Sequence, residues 1–447
     1  MSSAVYLSLV IILAIALLLF LIMKLKLQAF VSLLLVSMVV AVAAGMPLDK
    51  VMGSIQNGMG GTLGFIAVVV GLGAMFGQML QVSGGAERLA RTLVKTFGKD
   101  KSQWALMLTG FIVAIPVFFD VGFIILVPLV YSLAKETKKS LLYYGIPLLA
   151  GLAVTHAFVP PTPGPVAVAA LVNADIGKVI LYGLIVGLPA AILAGPVFGK
   201  YIAKKIHAEV PEYMLQETDA TIKEDKDLPS FGFVLFTILV PLILIVFNTF
   251  SNVFLPKESY LRTVMGFIGH PFAALMIATL IAFVGLGRFR GMSREKINEV
   301  ATSSLAPAGL IILVTGAGGV FKQVLIDSGV GKMLAEGLAG SHLSPLILAF
   351  LIAAVVRVAA GSATVAMMTA GGIIAPMLGA FSVEPALMVI AIASGATVLS
   401  HVNDSGFWLV NRYFGISEKD TLRSWTVMET IIGVAGLSGA LILNLFI

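Results

Sequence analysis

Asp120, Arg357 and Asp404 are formally charged residues set deep in apolar sequence. A charge at membrane depth is costly, and one that is kept there usually faces a cavity or another charge, often along an ion or substrate path. Asp120 is the one charged residue between Trp104 and Ala134. It suits either a carboxyl that takes a proton or meets substrate, or a structural partner for Arg357 or for backbone. Arg357 precedes Gly361-Ser362-Ala363-Thr364. Its planar guanidinium suits a carboxylate ligand, and an internal salt bridge is the alternative. The hydroxyls of Ser362 and Thr364, with the amides of that turn, could hold an anion.

His401-Val402-Asn403-Asp404-Ser405-Gly406 sets polar groups and a helix breaker between apolar flanks. Asn403 and Ser405 could bind a hydroxylated substrate or simply satisfy interrupted backbone, and Asp404 or His401 could hold a coupled proton. Thr155-His156 through Pro165 contributes one titratable group, His156, together with Thr162. His156 could carry a proton or be a satisfied core histidine. His207, His270 and His342 stand near loops or span ends and receive no role. Ser405, His401 and Asp404 fall within five residues, an awkward spacing for a nucleophile, base and orienting acid, so an intramembrane hydrolase is disfavoured. Gly329-Val330-Gly331-Lys332 is followed by Met333 rather than Ser or Thr, so it is not a phosphate loop. No cofactor or metal site is expected, and the chain does not read as an enzyme.

These residues need helices in a bilayer to position them. Of 447 residues, 59% are apolar and 12% charged, where about 25% charged is usual in soluble chains. The fold class expected is an all-α polytopic membrane protein, with room for roughly ten to twelve crossings at ~20 residues each. The net charge of +6 is spread in small basic groups beside apolar runs. Such groups act as topology signals in contact with lipid, not as a nucleic-acid surface. The first run, Val5 to Met23, leads directly into a second with no small-residue cleavage site and is expected to be a retained span. Cysteine is absent.

Lys24 and Lys26 place the first turn in the cytoplasm by the positive-inside tendency. Alternation follows through spans at Leu27 to Ala44 and Leu63 to Leu80, returning to the basic stretch from Arg88 to Lys101. The run from Trp104 to Ala134 has lysines at both ends, so a re-entrant hairpin centred on Asp120 is expected, with two short spans as the alternative. Leu141 to Asn173 is a broken span, because no continuous helix accommodates Pro160 to Pro165. Residues 200–229, which hold twelve charges between Lys200 and Asp227, form a cytoplasmic linker. It divides a first repeat, 1–199, from a second, 230–447. At an offset of 245, Gly64 to Leu93 overlies Gly309 to Leu338 with thirteen of thirty positions identical, and Thr155-His156 overlies Ser400-His401. Alternation gives the copies opposite orientation, so the expectation is two inverted-topology repeats, each with a re-entrant hairpin (104–134 and 345–378) and a broken transmembrane helix. That design suits a secondary transporter with a midplane site. A passive anion channel is the less favoured alternative.

GGTLGF (Gly60 to Phe65), FFDVGF (Phe118 to Phe123), HAFVPPTPGP (His156 to Pro165), GGVFKQVLIDSGVG (Gly318 to Gly331), GSATVAMMTAGG (Gly361 to Gly372) and SHVNDSGFW (Ser400 to Trp408) together resemble the gluconate permease (GntP) family, over nearly the whole chain. The resemblance implies proton symport of gluconate or a related sugar acid across the bacterial inner membrane. It makes Asp120, His156, Ser362, Thr364, His401, Asn403 and Asp404 site candidates. Thr162 stands where many family members carry histidine, which leaves open the acid carried, a D-serine-type substrate included. Sodium coupling is the alternative to protons. A homodimer is expected only by analogy with transporters of this general design.

Overall fold

Proline and glycine cut the apolar sequence into helices, because proline is tolerated in a helix's first turn and glycine accepts the left-handed turn that ends one. Pro163, Pro271, Pro345 and Pro385 open helices, while Gly84 and Gly361 close them at φ of 81° and 70°. The computed structural model describes residues 3–98, 101–211, 225–330 and 344–447. Residues 212–224 of the charged linker, the segment Gly331 to Met333 and His342 lie outside the described residues.

The first half comprises α1 (Ser3–Met23), α2 (Ala29–Ala43), α3 (Leu48–Ser83), α4 (Gly85–Phe97), α5 (Ser102–Val113), α6 (Phe119–Thr137), α7 (Leu141–Phe158), α8 (Pro163–Val172) and α9 (Ile176–Ile192). A π-helical turn containing Pro196 joins α9 to α10 (Phe198–Ile202), as expected where proline removes a backbone donor. Beyond the linker come α11 (Phe231–Phe254), α12 (Tyr260–Ile268), α13 (Pro271–Ile281), α14 (Arg294–Ser303), α15 (Leu305–Asp327), α16 (Pro345–Ala360), α17 (Ala363–Ile374), α18 (Pro385–Thr397), α19 (Ser405–Phe414), α20 (Glu418–Thr421) and α21 (Val427–Leu443). Among the described residues no strand occurs, and seven helical segments are long and apolar enough to cross a membrane.

Two elements differ from the hydropathy reading. The span read as Leu63 to Leu80 begins at Leu48, because one face of its polar, glycine-rich first half packs on α15. Ser54 Oγ donates to Asp327 Oδ2 at 2.6 Å, and a β-carbon at Gly58 would stand 2.7 Å from the Gly319 carbonyl oxygen. Hydropathy scores the loss of water but not the backbone approach that glycine permits. The basic stretch after it is helical as α4, which buries Ala86, Leu89, Ala90 and Leu93 on one face. Arg88 on that helix donates to the Pro229 carbonyl at 2.7 Å and pairs with Asp225 at 2.9 Å, tying the linker's end to the first half.

Helix directions follow from which residues meet. Along α3 and α15 the contacts run oppositely: Ser54 with Asp327, Gly58 with Gly319, Gly316 with Met59 and Leu63, and Gly71 with Leu305. The two helices are antiparallel. Along α5 and α7 the contacts advance together, from Gln103 with Tyr143 to Gly151 with Met107 to Thr155 with Phe111. By contrast α6 runs back along α7, with Tyr144 against Thr137 and Gly122 against Leu152. The chain therefore reverses between α5 and α6, at residues 114–118.

Candidate functional site

Four interruptions of helix converge on one cavity of about 380 Å³. The start of α6 contributes Asp120, and α7 contributes His156 just before its break at residues 159–162. The turn between α16 and α17 contributes Arg357, Ser362 and Thr364, and the break between α18 and α19 contributes Asp404 and Ser405. The first two turns of α15, the π-helical turn Leu422–Thr426 and the start of α21 close the remaining sides through Pro307, Ile311, Trp425 and Glu429.

Arg357, 3% exposed, is held at the end of α16. Its Nη1 donates to the Gly361 carbonyl at 2.5 Å and its Nη2 forms an ion pair with Asp404 Oδ2. Its Nε is buried without a protein partner. Asp404 is fully engaged: Oδ2 also accepts from Ser400 Oγ, and Oδ1 caps α19 by accepting from the Gly406 amide at 3.1 Å. Ser400 is held in turn by Trp425 Nε1, which donates to its Oγ at 2.7 Å, and by Thr426 Oγ1, which donates to its carbonyl. This break is thus organised around a buried ion pair, which is stable only when its remaining polar valences are met.

Asp120 contrasts with this. It lies in the first turn of α6, where the helix dipole favours an anion. Its side chain is exposed to the cavity and accepts no hydrogen bond from any described residue. His156 lines the same cavity, with Nδ1 buried and unpartnered.

Not every candidate reaches the cavity. His401 Nε2 lies 2.9 Å from the Val358 carbonyl, and Asn403 Nδ2 donates to the same oxygen at 2.8 Å. Both occupy the carbonyls freed at the end of α16, the need that any helix C-terminus creates. Close approach is demanded there: a side chain at Gly361 would collide with the Asn403 carbonyl. Thr162 is buried beside the proline turn, with its Oγ1 donating to the Val159 carbonyl at 2.6 Å, and it lines a small separate pocket with Pro116 and Pro161. Ser362 Oγ caps α17 by accepting from the Val365 amide at 3.4 Å while it remains on the cavity wall.

The GntP family permease model matches residues 6–446. The chain belongs to the GntP permease family. The high-affinity gluconate transporter of Escherichia coli is 47% identical over 420 residues, covering 94% of this chain and 95% of that protein. The Gnt-II system L-idonate transporter of Escherichia coli is 42% identical over 417 residues, covering 93% and 94%. The structure of Neisseria gonorrhoeae MtrF, one of a class of antimetabolite efflux pumps, matches with a TM-score of 0.71 at 13% identity, covering 96% of this chain and 97% of that one. That likeness is one of fold. As a GntP permease the chain is a multi-pass membrane transporter and not an enzyme.

Two residues of this GntP permease escaped the sequence reading. Glu429, 4% exposed, faces the cavity from α21. It is the one charged residue between Arg423 and the end of the chain, a signal as clear as that of Asp120. Its place at a helix start, outside the interrupted segments, hides it from a search for broken spans. Lys322, in the middle of an apolar helix, donates from Nζ to the Leu171 carbonyl at 2.6 Å. There it satisfies a carbonyl at the end of α8, a structural use of a cation at a helix C-terminus.

Proposed function

We propose that this permease carries gluconate or a related sugar acid inward across the bacterial inner membrane, coupled to protons. The observation that carries the reading is the cavity itself. It joins an open carboxyl, Asp120, to a buried guanidinium with one donor still free. A sugar-acid carboxylate would meet Arg357 Nε, and its hydroxyls would meet Ser362, Thr364 and Ser405. Asp120 would take the proton, since Asp404 is already committed to Arg357 and to the α19 cap. The names of the relatives, which refer to gluconate and L-idonate, support a sugar acid over a serine-like substrate.

We read the architecture as two inverted repeats. Gly316 is the equivalent of Gly71 at the offset of 245, and its neighbours Met59 and Leu63 bracket the equivalent of Leu305, the neighbour of Gly71. These reciprocal contacts between antiparallel, equivalent helices support a reading with a pseudo-two-fold axis between two oppositely oriented copies. The reversal at residues 114–118 and the turn at Gly361-Ser362 serve as re-entrant hairpin tips. Such tips leave backbone unpaired at membrane depth only where protein covers it. Exchange of roles between the two copies would open the cavity to each side in turn.

Uptake of labelled gluconate by membrane vesicles tests the reading, with an imposed inward pH gradient and then with a protonophore. Accumulation that the protonophore abolishes is expected. Accumulation that survives the protonophore and requires sodium would replace protons with sodium, and absence of uptake would reject gluconate.

A further inference from the structure

Asp120, Arg357, Asp404 and Glu429 are the charged groups on the cavity wall, and His156 is the one other titratable side chain there. The Arg357–Asp404 pair is neutral as a unit and closed by its own hydrogen bonds. Two carboxyls are then left without a cation. Asp120 is open to the cavity, but Glu429 is nearly inaccessible, and no described residue donates a hydrogen bond to it. Of the helices packed on α21, α7 brings only His156 and α16 only Arg357 to the cavity as ionisable side chains, α18 presents Thr397, and the lysine of α9, Lys178, pairs with Glu384. Trp425, one turn earlier on the same face, spends its indole N–H on Ser400.

An ionised carboxylate buried without a donor is held at a high cost, and a substrate anion entering the same space would add a third unpaired negative charge. Binding a proton at each free carboxyl removes both penalties and leaves Arg357 to meet the substrate anion. We propose that Glu429 is a second proton-binding carboxyl of the transport cycle, so that two protons, one on Asp120 and one on Glu429, accompany each sugar-acid anion. This rests on the sugar-acid and proton reading above. The position of Glu429 explains why it would respond to substrate. It shares the cavity with Arg357 and Asp404, and Thr430 on α21 accepts from the Leu399 amide at 3.2 Å, tying the helix to the 398–404 break. A change in the ion pair on substrate arrival is therefore felt by Glu429 directly.

The test is the balance point of gluconate accumulation in proteoliposomes of the full chain. The membrane potential is clamped at zero with potassium and valinomycin, and the inside is held one pH unit more alkaline. Each coupled proton contributes tenfold at balance, about 1.4 kcal/mol. Wild type is expected to reach about 100-fold accumulation, Glu429→Gln about tenfold, and Glu429→Asp about 100-fold. Because the readout is an equilibrium ratio, a slower variant still reports its stoichiometry. A ratio of about tenfold in wild type, or an unchanged ratio in Glu429→Gln, overturns the proposal, and a tenfold wild-type value does so even if the glutamine variant does not fold. Wild-type protein that accumulates no gluconate under the pH gradient instead rejects the function on which the proposal rests.

Discussion

The two interrupted spans that face each other across the cavity are held open by different physics. In the first half the break between α7 and α8 is imposed by Pro160, Pro161, Pro163 and Pro165, whose rings remove backbone donors and fix φ. Its side-chain bonding is slight: Thr162 returns to Val159 and little else is needed. In the second half the break between α18 and α19 contains no proline. It is held by side chains, with Arg357, Ser400, Asp404, Trp425, Thr426 and Thr430 forming one connected network. Equivalent histidines diverge accordingly. His156 is left unpartnered on the cavity wall, whereas His401 is used against the α16 terminus. A covalently imposed break can leave its polar groups free for ligand and proton, while a break built from side chains spends them on itself.

The comparison is broken most severely by cutting the network at its centre. Arg357→Met and Asp404→Leu are each expected to cost about 3–5 kcal/mol by stranding a buried charge, and the double variant less than their sum. Thermal unfolding in detergent reads this, and additive losses would mean that the pair is not a unit. On the other side of the cavity Asp120→Asn is expected to lower gluconate accumulation under a one-unit pH gradient from about 100-fold to about tenfold, with the melting temperature close to wild type because no described hydrogen bond is lost. An unchanged accumulation ratio in this variant would remove Asp120 from proton coupling. The smallest effect is expected from Trp425→Phe, which deletes the one donor to Ser400 Oγ. A loss of about 1 kcal/mol is expected, seen as a modest fall in melting temperature. A loss as large as that of Arg357→Met would locate the keystone of the network at Ser400 instead of the ion pair.

Several parts of this site are legible in one dimension. Asp120, Arg357 and Asp404 stand out because an isolated charge in apolar sequence has few tolerable environments, and all three line the same cavity. The breaks at Pro160 to Pro165 and His401 to Gly406 are equally visible, since both carry helix-incompatible residues. Thr162, His401 and Asn403 read like ligands from the same segments, yet each turns to a nearby carbonyl. Composition marks a residue as polar and buried but does not say whether backbone or cavity will claim it. Glu429 illustrates the converse, for its neighbours in space come from elements far from it in sequence.

Alone, the amino-acid sequence determined that this chain enters a bilayer, where its helices break, and that Gly64 to Leu93 and Gly309 to Leu338 share thirteen of thirty positions. Those properties depend on local terms, namely apolar transfer, proline and glycine geometry, and residue identity at a constant offset. Only the tertiary structure decided which charges are neutralised by one another and which remain open. Pairing is a matter of a few ångströms between α16, the 398–404 break, α6 and α21. Such distances are fixed by how glycine-lined helices pack, not by the order of residues along the chain.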